Sequence, residues 1–320
     1  MKFICGDEIQ QGSYPIHSRF KRAANYLSAD GKLLSIVLNE KAAGPLNLVL
    51  LKKSSSYTPL HTKAPSIENI DSVVVYDRSC NSPYRLQLLL LQGKASWYIL
   101  KTEVSTYQSE IALPAQQTYR WQERLHDSCT KLKAAILTQA PGDSLSFLLN
   151  TKITSSANAS TFEMHLQRHL SEAKERILER ADITALAAFR GVGIGLTPAG
   201  DDFILGFILA IKIFQYIYLH RHKQLAAYFE LGKLCEEIDH IVSKNRQEET
   251  DDPLFRNHFH ALKAGKIGYQ SKQLIASLFT ADAEEIQKSV TLLLQIGHSS
   301  GIDFGVGLLY GVEFLNKRRE

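Results

Sequence analysis

Apolar positions change their rhythm once along this chain, near residue 110. Before that point they come in short aliphatic runs: Leu33 to Leu38, Leu46 to Leu51, Ser72 to Tyr76, Leu86 to Leu91 and Ser96 to Leu100. Turn material such as Ala43-Gly44-Pro45, Ser54-Ser55-Ser56, Asn81-Ser82-Pro83 and Gln92-Gly93-Lys94 stands between them. Short runs so punctuated predict a small antiparallel sheet or barrel. Leu88 to Leu91 is continuous rather than alternating, which predicts a central strand buried on both faces. Ahead of the strands, His17-Ser18-Arg19-Phe20 leads into Lys21 to Leu27, a short helix by its spacing, bearing Asn25.

From Pro114 the period is helical. Trp121, Leu125, Leu132, Ile136 and Leu137 punctuate a helix ending at Pro141-Gly142-Asp143. Thr151 to Thr161 reads as a polar loop, Phe162 to Arg180 as an amphipathic helix and Ile183 to Arg190 as a short one. Phe203 to Leu219 is the most apolar helix, followed by helices over 224–245, 254–264, 269–279 and 282–295 and a last one reaching about Leu315. The expected class is therefore α+β, with a β-rich domain over residues 1–110 and a mostly α-helical domain over 111–320.

Composition narrows the setting. The 320 residues are 44% apolar and 22% charged, ordinary for a globular protein, and their net charge of +4 forms no long basic run, so nucleic acid is not an expected partner. The four cysteines show no C-x-x-C spacing and no signal-like segment opens the chain, which points to the cytoplasm. Phe203 to Leu219 is shorter than the ~20 residues that span a bilayer and contains Lys212, so it reads as a core helix and no membrane partner is expected.

Candidate chemistry gathers where that helix begins. Gly191-Val192-Gly193-Ile194-Gly195-Leu196-Thr197-Pro198-Ala199-Gly200-Asp201-Asp202 combines four glycines, a Thr-Pro helix start and two adjacent carboxylates. A second copy of its end, G-x-D-F-x-x-G, runs from Gly200 to Gly206 and again from Gly301 to Gly307, preceded in the later case by Gly297, His298, Ser299 and Ser300. Two glycine-led helix starts lying side by side would offer N–H groups to an anion, with Asp202 and Asp303 facing one cleft. Asp201, Asp202 and Asp303 would repel that anion unless Mg²⁺ is held by Asp202 and Asp303, or unless the carboxylates turn away and cap. Gly193, Gly195, Thr197, Gly200, Ser299, Ser300 and Gly301 are the candidate substrate contacts, with His298 as donor or base. No cofactor other than Mg²⁺ is suggested. The pairs His220/His222 and His258/His260 do not share a helix face, so zinc is not indicated. Neither nucleotide fingerprint nor a serine-hydrolase elbow is present.

Gly193 to Asp202 with Phe203 and Gly206, Gly297 to Asp303, and His17-Ser18-Arg19-Phe20 with Asn25 resemble a bacterial family long catalogued as a domain of unknown function. Its named members are the AllH-like subunits of oxamate carbamoyltransferase. Ile194, Ala199 and Ile302 depart from the residues common there, which are Pro, Ser and an aromatic. The resemblance implies a transferase subunit acting in purine (allantoin) catabolism, with carbamoyl phosphate or an oxamate-like anion as substrate and other carbamoyltransferase subunits as partners. It adds His17, Ser18 and Asn25 to the candidate substrate contacts. Two other readings stay open: a non-catalytic partner or ligand-sensing subunit, and a stand-alone metal-dependent hydrolase.

Overall fold

The computed structural model describes residues 2–51, 69–78, 86–92, 95–99, 104–113, 121–150, 161–193, 197–222, 224–244, 252–280 and 282–318. The chain forms two compact units, residues 1–110 with 265–270, and residues 111–264 with 271–320.

The first unit is a nine-stranded sheet among the described residues. Its strands are β1 (Lys2–Gly6), β2 (Gly12–Arg19), β3 (Ala23–Leu27), β4 (Leu33–Val37), β5 (Asn47–Leu51), β6 (Ser72–Arg78), β7 (Leu86–Gln92), β8 (Ala95–Ile99) and β9 (Val104–Tyr107). They lie in the order β8-β7-β6-β2-β3-β4-β5-β1-β9, antiparallel except for the parallel pairs β4·β5 and β1·β9. The sheet is thus mixed rather than purely antiparallel. Side chains alternate between its faces. Phe3, Cys5, Tyr14, Tyr26, Leu34, Ile36, Leu48, Leu50, Val73, Val75 and Leu90 share one core, drawn from seven strands. Ile4, Val37 and Val49, at the intervening positions, pack on the opposite face with Ala43. Segment 265–270 closes onto this unit through Ile267 N–H to the Ser109 carbonyl at 2.8 Å and Tyr269 N–H to the Ala43 carbonyl at 2.8 Å.

Two expectations fail here. Lys21 to Leu27 is not a helix: Ala23–Leu27 is strand β3, paired with β2 and β4, with Ala24 and Tyr26 turned into the core. Seven residues cannot distinguish the two periods, and the flanking strands decide. Leu90 is buried but Leu91 is only half-buried, and β7 lies one place from the β8 edge, so the run Leu88 to Leu91 is not buried throughout.

The second unit is helical. It contains α1 (Trp121–Gln139), a 3₁₀ turn at Leu145–Leu149, α2 (Thr161–Arg180), a 3₁₀ segment at Ile183–Phe189, α3 (Ala199–Ile217), α4 (Leu225–Lys244), α5 (Pro253–Lys263), α6 (Tyr269–Thr280), α7 (Ala283–Leu293) and α8 (Ser300–Lys317). Of the expected polar loop over Thr151 to Thr161, positions 151–160 lie outside the described residues, and Thr161 is the first residue of α2. Helix α3 is apolar enough to pass for a membrane span by composition, yet within the unit nearly all of it is buried. Its chief partner is α8. The two cross at glycines: a Cβ on Gly206 would lie 1.9 Å from the Phe304 carbonyl oxygen, and one on Gly307 would lie 1.9 Å from the Phe203 carbonyl oxygen. Backbone therefore meets backbone, and the repeated G-x-D-F-x-x-G is a reciprocal packing device. Phe203 also stacks on Phe189, with ring centroids 4.1 Å apart, and tilts against Tyr310.

Candidate functional site

Each glycine-led start leans on the carbonyl that ends the segment before it. A Cβ on Gly200 would fall 1.8 Å from the Phe189 carbonyl oxygen, and one on Gly301 would fall 1.9 Å from that of Leu293. The close approach sets where α3 and α8 begin. Pro198 is the N-cap of α3 and Ser299 that of α8, and neither makes a side-chain capping bond. Gly193, at φ +115°, lets the loop fold back so that Gly200 N–H reaches the Val192 carbonyl at 2.8 Å. Gly195 lies outside the described residues.

The two starts touch through hydroxyls. Thr197 Oγ1 lies 3.1 Å from Ser300 Oγ, and both residues are half-buried. Asp202 stands beside these hydroxyls, 8% exposed, with its Oδ2 lacking a hydrogen-bond partner among the described residues. Burial pushes its carboxyl well above the usual carboxylate range; the charges of Asp303 and Asp201 add to the rise, and the Ser300 and Thr197 hydroxyls oppose it.

The other acidic candidates have structural partners. Asp201 forms a buried ion pair with Arg190 Nη1 and accepts the Gly191 N–H at 2.6 Å. Its carboxyl is raised by burial, against the pull of Arg190. Asp303, fully buried, accepts the Leu145 N–H at 2.7 Å and so caps the turn Leu145–Leu149. Its Oδ2 has no hydrogen-bond partner among the described residues. Burial lifts it to about 6, while the Leu145 N–H and the Ser299 hydroxyl favour the ionised form. Of the three carboxylates expected to line one cleft, only Asp202 combines contact with both hydroxyls and an unpartnered oxygen.

His298 is exposed, its Nε2 3.1 Å from Asp143 Oδ2. His17, Ser18 and Asn25 belong to the first unit, on β2 and β3. There Asn25 donates to Ser18 Oγ at 3.2 Å and accepts from Ser35 Oγ at 2.8 Å, a polar row across three strands, while His17 Nδ1 lies 3.2 Å from Ser18 Oγ. No group of three or more His, Cys, Asp and Glu side chains gathers as a metal cage among the described residues. Asp202 and Asp303 alone would leave Mg²⁺ to waters or substrate oxygens, which is its habit.

Arg190 is the residue that sequence reading passed over. It directly precedes Gly191, carries no periodic signal, and declares its role only through the distant Phe255 ring and Asp201.

Residues 189–312 match a family described as oxamate carbamoyltransferase subunit AllH. Over this stretch the chain is similar to that family. The AllH-like region opens one residue before Arg190 and closes within α8, so it contains both helix starts, Asp201, Asp202, Asp303 and the crossing glycines. The sheet of the first unit, with His17, Ser18 and Asn25, lies outside it. No curated protein and no solved structure matches the chain.

Proposed function

We propose that this chain is a subunit of a carbamoyltransferase and binds a small anion, carbamoyl phosphate or an oxamate-like carboxylate, where α3 and α8 begin. One observation carries the reading: the Thr197 and Ser300 hydroxyls meet across the two starts beside the unpartnered Oδ2 of Asp202. A buried acceptor without a partner costs free energy that a ligand donor or a held proton recovers. Burial favours the protonated carboxyl, and a neutral Asp202 donates through its O–H to an anion instead of repelling it. The helix-terminal N–H groups and the two hydroxyls complete the cradle. Mg²⁺ on Asp202 is the competing way to offset the charge. Asp201 and Asp303 act as supports, holding Arg190 and the turn at Leu145.

Calorimetric titration of carbamoyl phosphate and of oxamate, with and without Mg²⁺, tests this. Binding without metal is expected, weakened at least about tenfold by Thr197→Val and by Asp202→Ala, which is ~1.4 kcal/mol. Asp202→Asn, which keeps a donor, should bind nearly as well as the parent chain. Binding that needs Mg²⁺ and is abolished in Asp202→Asn replaces the proton with a metal. Failure of both anions to bind under every condition overturns the reading.

A further inference from the structure

Beyond the helix starts, the second unit has a cleft of about 230 Å³ whose lining includes Arg190, Asp239, Ser243, Phe255, Arg256 and His260. That volume lies below the range of drug-sized pockets and suits a small molecule. Arg190 sits in it in an unusual state. Its side chain is 7% exposed and its guanidinium lies over the Phe255 ring, 3.8 Å from the centroid. Its ion pair with Asp201 is made through Nη1, and Nε has no hydrogen-bond partner among the described residues. Nε and Nη2 together form the side-on fork that matches a carboxylate in a planar, two-bond geometry. Asp201 and the Phe255 ring offset the burial of the guanidinium as a whole, but its Nε–H is a buried donor without a partner among the described residues.

The cleft's two helical walls differ in character. Helix α5 contributes Phe255, Arg256 and His260, which with Arg190 supply an aromatic face and nitrogen donors, and its N-cap Asp252 also lines the cleft, with Oδ1 already accepting the Leu254 and Phe255 N–H groups. Helix α4 contributes Asp239 and Ser243, which can accept. Asp239 is already paired with Lys263 Nζ at 2.7 Å, so that wall is matched better by a neutral N–H or O–H than by an ammonium.

We propose that this cleft is a second ligand site, taking a small molecule with a carboxylate at one end, seated on the Nε–Nη2 edge of Arg190, and a neutral amide or hydroxyl donor at the other, facing α4. The site stands independently of the anion cradle at the helix starts.

Isothermal titration with malonamate, succinamate and glutaramate, which differ only in the spacing of carboxylate and amide, tests it, with succinamide as the partner lacking a charge. At least one of the three acids is expected to bind saturably, and succinamide is not. Arg190→Lys keeps a cation for Asp201 but loses the fork, and should weaken that acid at least tenfold. Ser243→Trp, at an exposed position, fills the cleft from its rim and should abolish binding with an unchanged melting temperature, so the test survives if Arg190→Lys fails to fold. Thr197→Val should leave this affinity as it was. Absence of binding by all three acids, or retention of full affinity in Ser243→Trp, overturns the proposal, as does loss of affinity in Thr197→Val, which would assign the acid to the helix starts.

Discussion

Three carboxylates within two copies of one motif have three different surroundings. Asp201 faces a guanidinium, Asp303 a backbone N–H at Leu145, and Asp202 two hydroxyls with one oxygen left over. The Arg190–Asp201 pair is buried on both sides, so Arg190→Ala strands a carboxylate in the interior. A loss of about 3–5 kcal/mol is expected, read from denaturant unfolding, and Arg190→Lys should lose less. Asp303 yields a pH signature. Its folded pKa of about 6 exceeds the value of roughly 4 it has when unfolded, so the folded state holds the proton more tightly. The stability it contributes is complete below the unfolded pKa and is lost as pH rises through about 6. A profile of melting temperature against pH should therefore fall across that window for the parent chain, and Asp303→Asn, whose Oδ1 still accepts from Leu145, should make the fall smaller, the remainder coming from Asp201 and Asp202, whose carboxyls burial also raises. A fall of equal size in the variant would assign it to another group.

At the scale of elements, the α3–α8 crossing governs the second unit. Gly206 and Gly307 each stand against a carbonyl of the opposing helix, where no flexible side chain can yield. Gly206→Ala and Gly307→Ala are each expected to cost about 3 kcal/mol or more in thermal or chemical unfolding, at or above the upper end of overpacking effects. Gly142→Ala, with open space around it, serves as the control and should change stability by less than about 0.5 kcal/mol. This crossing also accounts for the placement of the functional candidates. Residues fixed to the first turns of two locked helices hold their positions, so Thr197 and Ser300 meet within hydrogen-bonding distance although far apart in sequence. Elements with weak local signals behaved differently. Ala23–Leu27 became a strand because its neighbours β2 and β4 supply hydrogen bonds on both edges, whatever the intrinsic period of so short a run.

For the molecule as a whole, the AllH-like stretch frames the expectation that other subunits take part in carbamoyl transfer. The purified chain is expected to show binding of anions but no carbamoyl transfer from carbamoyl phosphate to oxamate, and co-expression with candidate partner subunits should restore the transfer in a co-purifying complex. Turnover by the isolated chain would instead make it an enzyme in its own right.

Taken alone, the sequence determined where the helices of the second unit run, that the first unit is built of strands, and that one motif is repeated where two helices begin. Those features are written in local periodicity, in proline and glycine punctuation, and in residues a few positions apart. Only the tertiary structure decided the parallel pairs β4·β5 and β1·β9, because strand direction depends on partners distant in sequence. It alone separated Asp202 from Asp201 and Asp303, since burial and hydrogen-bond partners are properties of the surroundings and the three side chains are chemically identical. It alone revealed Arg190, whose meaning lies in Phe255, Asp201 and a cleft assembled from α4 and α5, none of them its neighbours in the chain.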